Sequence, residues 1–171
     1  MLYENVVSRM REVSAMYDVS RGLVSTMDQD AMLEDVLNML RKSAGYTNCA
    51  LLLLDPKTGS LNVRSAVGYM QDIQGMEIQV GREGITGWVA ENREPLMVPD
   101  VLKDPRYIQK DSQTRSEIAV PMMVGDRLIG VLDAQSSEIN AFGERDLRIL
   151  ASVGAQTAVA LDNIRLYDET R

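Results

Sequence analysis

Histidine is absent from this chain and cysteine occurs once, at Cys49, among 171 residues. Together these facts rule out a disulfide within the chain and remove the commonest metal ligand. Cys49 lies inside residues 47–55, TNCALLLLD, a short run apolar on both alternations. It is therefore expected to be a small core residue in an inner strand rather than a nucleophile. Three other groupings could carry chemistry. Gly81, Gly84 and Gly87 suggest a phosphate-cradling loop, but the spacing is not that of a P-loop and no lysine follows. The helix they lead into could still receive an anion at its amino end. Asp100, Asp104 and Asp111 suggest metal ligands, yet they lack calcium-loop spacing and alternate with Lys103, Arg106 and Lys110, which fits solvated charge better. Met122 and Met123, two of 11 methionines, could line an adaptable apolar cavity, although core filling is the better reading.

The elements that must position these residues centre on 116–135, SEIAVPMMVGDRLIGVLDAQ. It reads as two strands joined by Gly125-Asp126, with glycine where a type II′ turn requires it. Both faces of both arms are mostly apolar, so the hairpin belongs in mid-sheet, and Pro121 predicts a local break in pairing. Tyr3, Val6, Met10, Val13, Tyr17 and Val24, with Ser20 between, repeat every three or four residues. That spacing fits either a coiled-coil seam or a helix packed on its own domain. A second helix is expected from Gln29 to about Ala44, with Asp28 as N-cap and Gly45 just past its end. Strands follow at 47–55, 60–67 and 76–80, and a short helix presents Ile85, Trp88 and Val89, with Asn92 able to end it. Leu96 to Val98 is extended. Residues 99–115 form a long polar connection, with a helical turn expected around 104–107, and this is the natural lid. The closing helix, about 144–171, starts with Phe142, Glu144 and Asp146 placed to favour its amino end. One stripe on it, Leu147, Leu150, Ala158, Leu161 and Ile164, can serve the sheet. The other, Ile149, Val153, Gln156, Ala160, Asn163 and Tyr167, is expected to need a partner.

A net charge of −7 with scattered acids and no basic cluster gives no footprint for nucleic acid or an anionic membrane. No apolar run reaches a membrane span and the start carries no signal core, so a cytoplasmic location is expected. The length suits one α+β domain with extensions.

Three blocks carry a family resemblance: GITGWVAENREPLMVPDVLKDPRY, RSEIAVPMMVGDRLIGVLDAQ and FGERDLRILASVGAQTAVALDNIRLYDE. In order and spacing they resemble a GAF domain, a small-molecule sensory module, over roughly 28–168. Residues 1–27 would be an N-terminal helical extension. The resemblance implies a GAF/PAS-like α+β fold, with a central antiparallel sheet of about five to six strands. It places the first, second and last helices on one face, and a roofing helix with the lid on the other, enclosing a ligand pocket. It also implies a homodimer through the N- and C-terminal helices. The closing helix would continue into a signalling linker and an output domain of a longer protein.

The family's chemistries divide on these residues. Haem and bilin attachment use histidine or accompanied cysteine, so neither is expected, nor is an iron–sulfur cluster. The branch that reduces free methionine sulfoxide depends on several cysteines, and one buried cysteine argues against it. Any other enzyme would need carboxylates converging in a cleft, which nothing in the spacing suggests, so no enzyme is expected. Cyclic-nucleotide binders share an Asn-Lys pair and Phe-x-x-x-Asp-Glu. Phe142 and Asp146 match, whereas Ser136, Ser137 and Leu147 depart from the pattern. The expectation is therefore a non-enzymatic sensory domain for an unidentified small molecule, with a ligand-free dimerisation spacer as the rival and a cyclic-nucleotide site as a remote alternative. The pocket is expected from Ile85 and Trp88 on the roof, Asp100 and Tyr107 on the lid, and Arg115 and Ser116 at the start of the hairpin. Trp88 could instead anchor the roof, Asp100 cap a turn, and Arg115 form a surface ion pair.

Overall fold

Alternating apolar residues in the six strands give a sheet that is buried on both sides, and the helices divide between its faces. The computed structural model describes residues 2–16, 26–108 and 113–170. The strands are β1 (Asn48–Asp55), β2 (Ser60–Val67), β3 (Glu77–Gln79), β4 (Leu96–Val98), β5 (Ser116–Val124) and β6 (Arg127–Ser136). They form one antiparallel sheet in the order β3-β2-β1-β6-β5-β4. The fold is α+β as expected, and the β5–β6 hairpin lies in mid-sheet. Its Gly125 has φ +59°, while Arg93 and Asn140 are the non-glycine residues with positive φ among those described. Asp126 therefore stays in the ordinary region, as a type II′ turn requires.

The break in the hairpin falls elsewhere than expected. Pro121 pairs in register with Val131, and the irregularity lies between Met122 and Met123, leaving Ile129 unpaired opposite them. Pro121 is tolerated because β4 pairs only with Glu117 to Ala119, so β5 has no strand neighbour on that side at Pro121.

Helices α1 (Leu2–Met16), α2 (Thr26–Ala44) and α4 (Glu144–Thr170) cover one face. Between them and the sheet lie Leu33, Leu37, Leu40, Leu51, Ile118, Leu132 and Leu150, all fully buried. Helix α2 begins at Thr26, earlier than expected, and Gly45 closes it at φ +77° with its N–H donating to the Arg41 carbonyl at 3.2 Å. Asp28 therefore lies within the helix rather than at its cap, and the seam positions Tyr17, Ser20 and Val24 lie outside the described residues. Val6 and Met10 of α1 are fully buried against α2 and α4, with Val13 packed beside them. On α4, Ile149 and Val153 of the stripe expected to need a partner are also fully buried in this core, with Ala160 at its margin. Helix α1 folds back across α4 and covers Ile149 and Val153 of the second stripe, whereas Gln156 is half-buried and Asn163 exposed. Tyr167 lies outside the described side chains.

Asp146 secures the start of α4: it accepts from the Gly143 N–H at 2.8 Å and from the Tyr46 hydroxyl at 2.6 Å. Phe142 sets its ring 6.0 Å from that of Tyr46. The two positions shared with the cyclic-nucleotide pattern are thus committed to starting the helix. On the opposite face α3 (Gly84–Asn92) lies over β5 and β6. Its end is set by Arg93 in the left-handed region rather than by Asn92, whose side-chain amide donates to the Trp88 carbonyl at 3.0 Å. The turn expected at 104–107 is present, closed by the Tyr107 N–H donating to the Asp104 carbonyl at 3.2 Å, and a 3₁₀ turn at Val101–Lys103 precedes it. No helix among the described residues is long and apolar enough to cross a membrane.

Candidate functional site

The face of the sheet under α3 is apolar except at one place. Ala50, Leu52, Val63, Ile78, Ala119 and Val131 are buried there, and among them stand the carboxyl groups of Glu117 and Asp133. These are 3% and 2% exposed, which is rare for acids without a cationic partner. Their meeting depends on the register shift. A hairpin paired regularly from Gly125-Asp126 would set Glu117 opposite Ala134. The extra residue Ile129 instead sets Glu117 opposite Gln135 and Asp133 opposite Ala119, so that all three polar side chains share the pocket face. Asp133 also pairs with Ala50 of β1, whose methyl leaves space above it.

A cavity of about 40 Å³ opens over these acids. Its walls include Ile73 and Met76 from the β2–β3 connection, Ile85 and Thr86 from α3, and Tyr107 and Ile108 from the lid. That is room for about three water molecules, at roughly 10–15 Å³ of such volume each. Asp133 Oδ2 accepts from Gln135 Nε2 at 3.1 Å and lies 3.5 Å from the Tyr69 hydroxyl, whereas Asp133 Oδ1 is buried with no hydrogen-bond partner. The Thr114 hydroxyl donates to Gln135 Oε1 at 2.7 Å, which turns the amide N–H₂ toward the acids. Burial pushes the Glu117 carboxyl well above the ordinary carboxylate range, and the neighbouring Asp133 charge pushes it further. Burial raises Asp133 as well, opposed by hydrogen bonds from Glu117, Gln135 and Tyr69. The Tyr69 phenol is raised by burial and then by the charge of Asp133.

Of the six residues singled out from the sequence, Ile85 and Tyr107 line this cavity. Trp88 lies half-buried in a separate outer depression, with the Arg106 guanidinium 5.0 Å from its ring. Asp100 caps the 3₁₀ turn through the Leu102 N–H at 3.2 Å and meets Arg115 at 3.5 Å. Ser116 donates its hydroxyl to the Glu138 carbonyl at 2.6 Å. Glu117, Asp133, Tyr69 and Gln135 were missed. Acids within an apolar hairpin were the available signal, but their shared face follows from a bulge that alternation does not reveal. Asp104 forms a bidentate pair with Arg106, at 2.9 and 2.6 Å, which holds its carboxyl below the usual range. Among the described residues no group of histidine, cysteine, aspartate or glutamate could hold a metal ion. Cys49 is fully buried on the opposite, helical face, where burial pushes its thiol up. The three glycines serve backbone geometry: at Gly87 a Cβ would come within 2.9 Å of the Gln79 carbonyl.

A sheet helix-covered on one face and roofed over a pocket on the other is the α+β arrangement of the GAF fold, and the sequence model of the GAF domain matches residues 28–161. This chain belongs to the GAF domain family. It is 30% identical over 178 residues to the Nif-specific regulatory protein of Herbaspirillum seropedicae, covering 94% of this chain but only 32% of that protein. It is 38% identical over 74 residues to the free methionine-R-sulfoxide reductase of Saccharomyces cerevisiae, covering 43% of this chain and 41% of the other. Among solved structures, the free methionine-R-sulfoxide reductase of Neisseria meningitidis, in complex with its substrate, superimposes with a TM-score of 0.75 and 26% identity. That match covers 94% of this chain and 92% of the reductase. These relatives overturn the expectation that the chain is not an enzyme: the argument from cysteine number set aside a branch to which the chain is similar in both sequence and fold.

Proposed function

We propose that this chain captures a small molecule that carries a cationic group on a short, largely apolar body, and that the ligand is a free amino acid of the methionine sulfoxide type. One observation carries the reading. Asp133 Oδ1 is buried without a partner beside a second buried acid, and no lysine or arginine among the described residues bonds either carboxyl. An ammonium group would meet that need with charge-assisted hydrogen bonds. Ile73, Met76 and Ile85 suit an aliphatic body, and the amino end of α3 at Gly84 to Thr86 offers backbone N–H groups to a carboxylate. The substrate for which the reductases are named combines these features. Such a ligand exceeds the present cavity, so Tyr107 and Ile108 must move outward to admit it. The occupied pocket would act on α4 through the hairpin, since Met122 and Val120 pack on Gly154 of that helix, and thereby on whatever the helix serves.

Thermal melts with a panel of free amino acids, alkylamines and carboxylic acids test the reading. Methionine sulfoxide or a close amine is expected to stabilise the protein, by about 2.7 kcal/mol at a hundredfold excess over Kd. Glu117→Gln and Asp133→Asn should each weaken binding about 10- to 100-fold, the loss of one charge-assisted contact of roughly 1.5–3 kcal/mol. A panel in which only acids, or nothing, raises the melting temperature would contradict it. The same incubation with a thiol reductant, read for free methionine, decides whether the pocket also turns the ligand over.

A further inference from the structure

We propose that Glu117 and Asp133 hold one proton between them in the empty site, and that a cationic ligand group displaces this proton to solvent as it binds. The inference rests on the reading of the pocket as a cation-accepting site. The two carboxyl groups lie diagonally across adjacent strands on one face, both buried and with no lysine or arginine among the described residues bonded to either. Two carboxyls buried side by side need a proton between them, because carboxylate oxygens only accept and neither has a cation to answer its charge. The donors around the pair place it. Asp133 Oδ2 faces the Gln135 amide and the Tyr69 hydroxyl, both donors, so Asp133 is the carboxylate and Glu117 the acid. Like charges at this separation and burial do not both ionise without a counter-charge.

The surroundings do not supply that counter-charge among the described residues. From the β2–β3 connection the pair meets Tyr69, and from β1 it meets Ala50, with the Cys49 thiol behind the sheet. Thr86 and Ile85 face it from α3, and Tyr107 and the more distant Asp104 from the lid. The two nearby cations are engaged elsewhere, Arg106 with Asp104 and Arg115 with Asp100. An ammonium group carries three N–H donors, and its first acceptor is Asp133 Oδ1. The proton on Glu117 and the incoming cation therefore compete for one carboxylate. Once the cation is seated, its charge favours ionisation of Glu117, which becomes a second acceptor. The exchange balances: the cation enters with its own protons, the Glu117 proton leaves to solvent, and the floor carries a net single negative charge before and after. Affinity should rise about tenfold per pH unit while the empty pair holds its proton, then level off.

The test has two arms on the whole chain. In the first, carbon NMR of carboxyl-labelled aspartate and glutamate follows the empty protein through a pH titration. One late step shared by Glu117 and Asp133 is expected, and a Glu117 that titrates in the ordinary range overturns the proposal. In the second, free methionine sulfoxide is titrated calorimetrically in two buffers of different ionisation enthalpy, below the late step. Release of close to one proton per ligand, lost in Glu117→Gln, supports the exchange. Binding without proton release, or the same release from a folded Glu117→Gln variant, overturns the exchange and leaves the cation-accepting pocket standing. Absence of binding at every pH overturns both.

Discussion

Asp133 and Glu117 are costly residues for a folded core, and the cost has a measurable sign. Both carboxyls titrate above their ordinary range in the folded chain, so the folded protein holds protons that the unfolded chain releases. Stability supplied by a protonated Glu117 is therefore present at acid pH and declines as pH rises from about 4 through the raised folded value. Asp104 runs the other way: its depressed carboxyl adds stability that is lost as pH falls below the ordinary range. Urea unfolding of wild type and Glu117→Gln across this interval should isolate the first effect. The variant is expected to lose most of the decline and to be the more stable protein at neutral pH. Equal slopes in the two proteins would show that Glu117 is ionised when folded. At this scale the sequence was partly legible. Cys49 reads as core and is core, and Ile85 and Tyr107 read as pocket residues and border the cavity. Asp100 and Arg115 read as pocket residues and pair with each other at 3.5 Å, whereas the acid with a buried unpartnered oxygen sits in a strand.

Two elements explain where alternation and periodicity stopped short. Strand β6 carries one residue more than β5 between the turn and Gly130, and that residue exchanges the faces of everything beyond it. Hydrophobic alternation finds strands but does not count a bulge in a hairpin apolar on both faces, since either register buries apolar side chains. Helix α1 presents the second case. A spacing of three and four residues describes both a seam for a second chain and a stripe for the chain's own core, and here Val6 and Met10 pack on α2 and α4. Met10→Ala should accordingly cost about 2–5 kcal/mol, as expected for a fully buried methionine. The loss should be the same at every protein concentration in denaturant unfolding. A loss that grows on dilution would place Met10 between chains instead.

Across the whole molecule, one sheet separates two cores. Its helical face holds a continuous apolar core in which α4 packs on the hairpin, and its other face holds the acids beneath α3. The order of strands and helices and the mid-sheet hairpin were legible from local apolar spacing and turn residues, whereas the division of helices between faces followed only from the resemblance to the GAF family. The function of the pocket was not, because it rests on a tertiary coincidence of two acids, an amide and a phenol brought together by register. A crystal structure of the chain grown with free methionine sulfoxide tests that coincidence most directly. The ligand's ammonium nitrogen is predicted within hydrogen-bonding distance of Asp133 Oδ1, with Glu117 as its second acceptor and Tyr107 displaced outward. A ligand bound elsewhere, or one that turns its carboxylate to Asp133, would contradict the account.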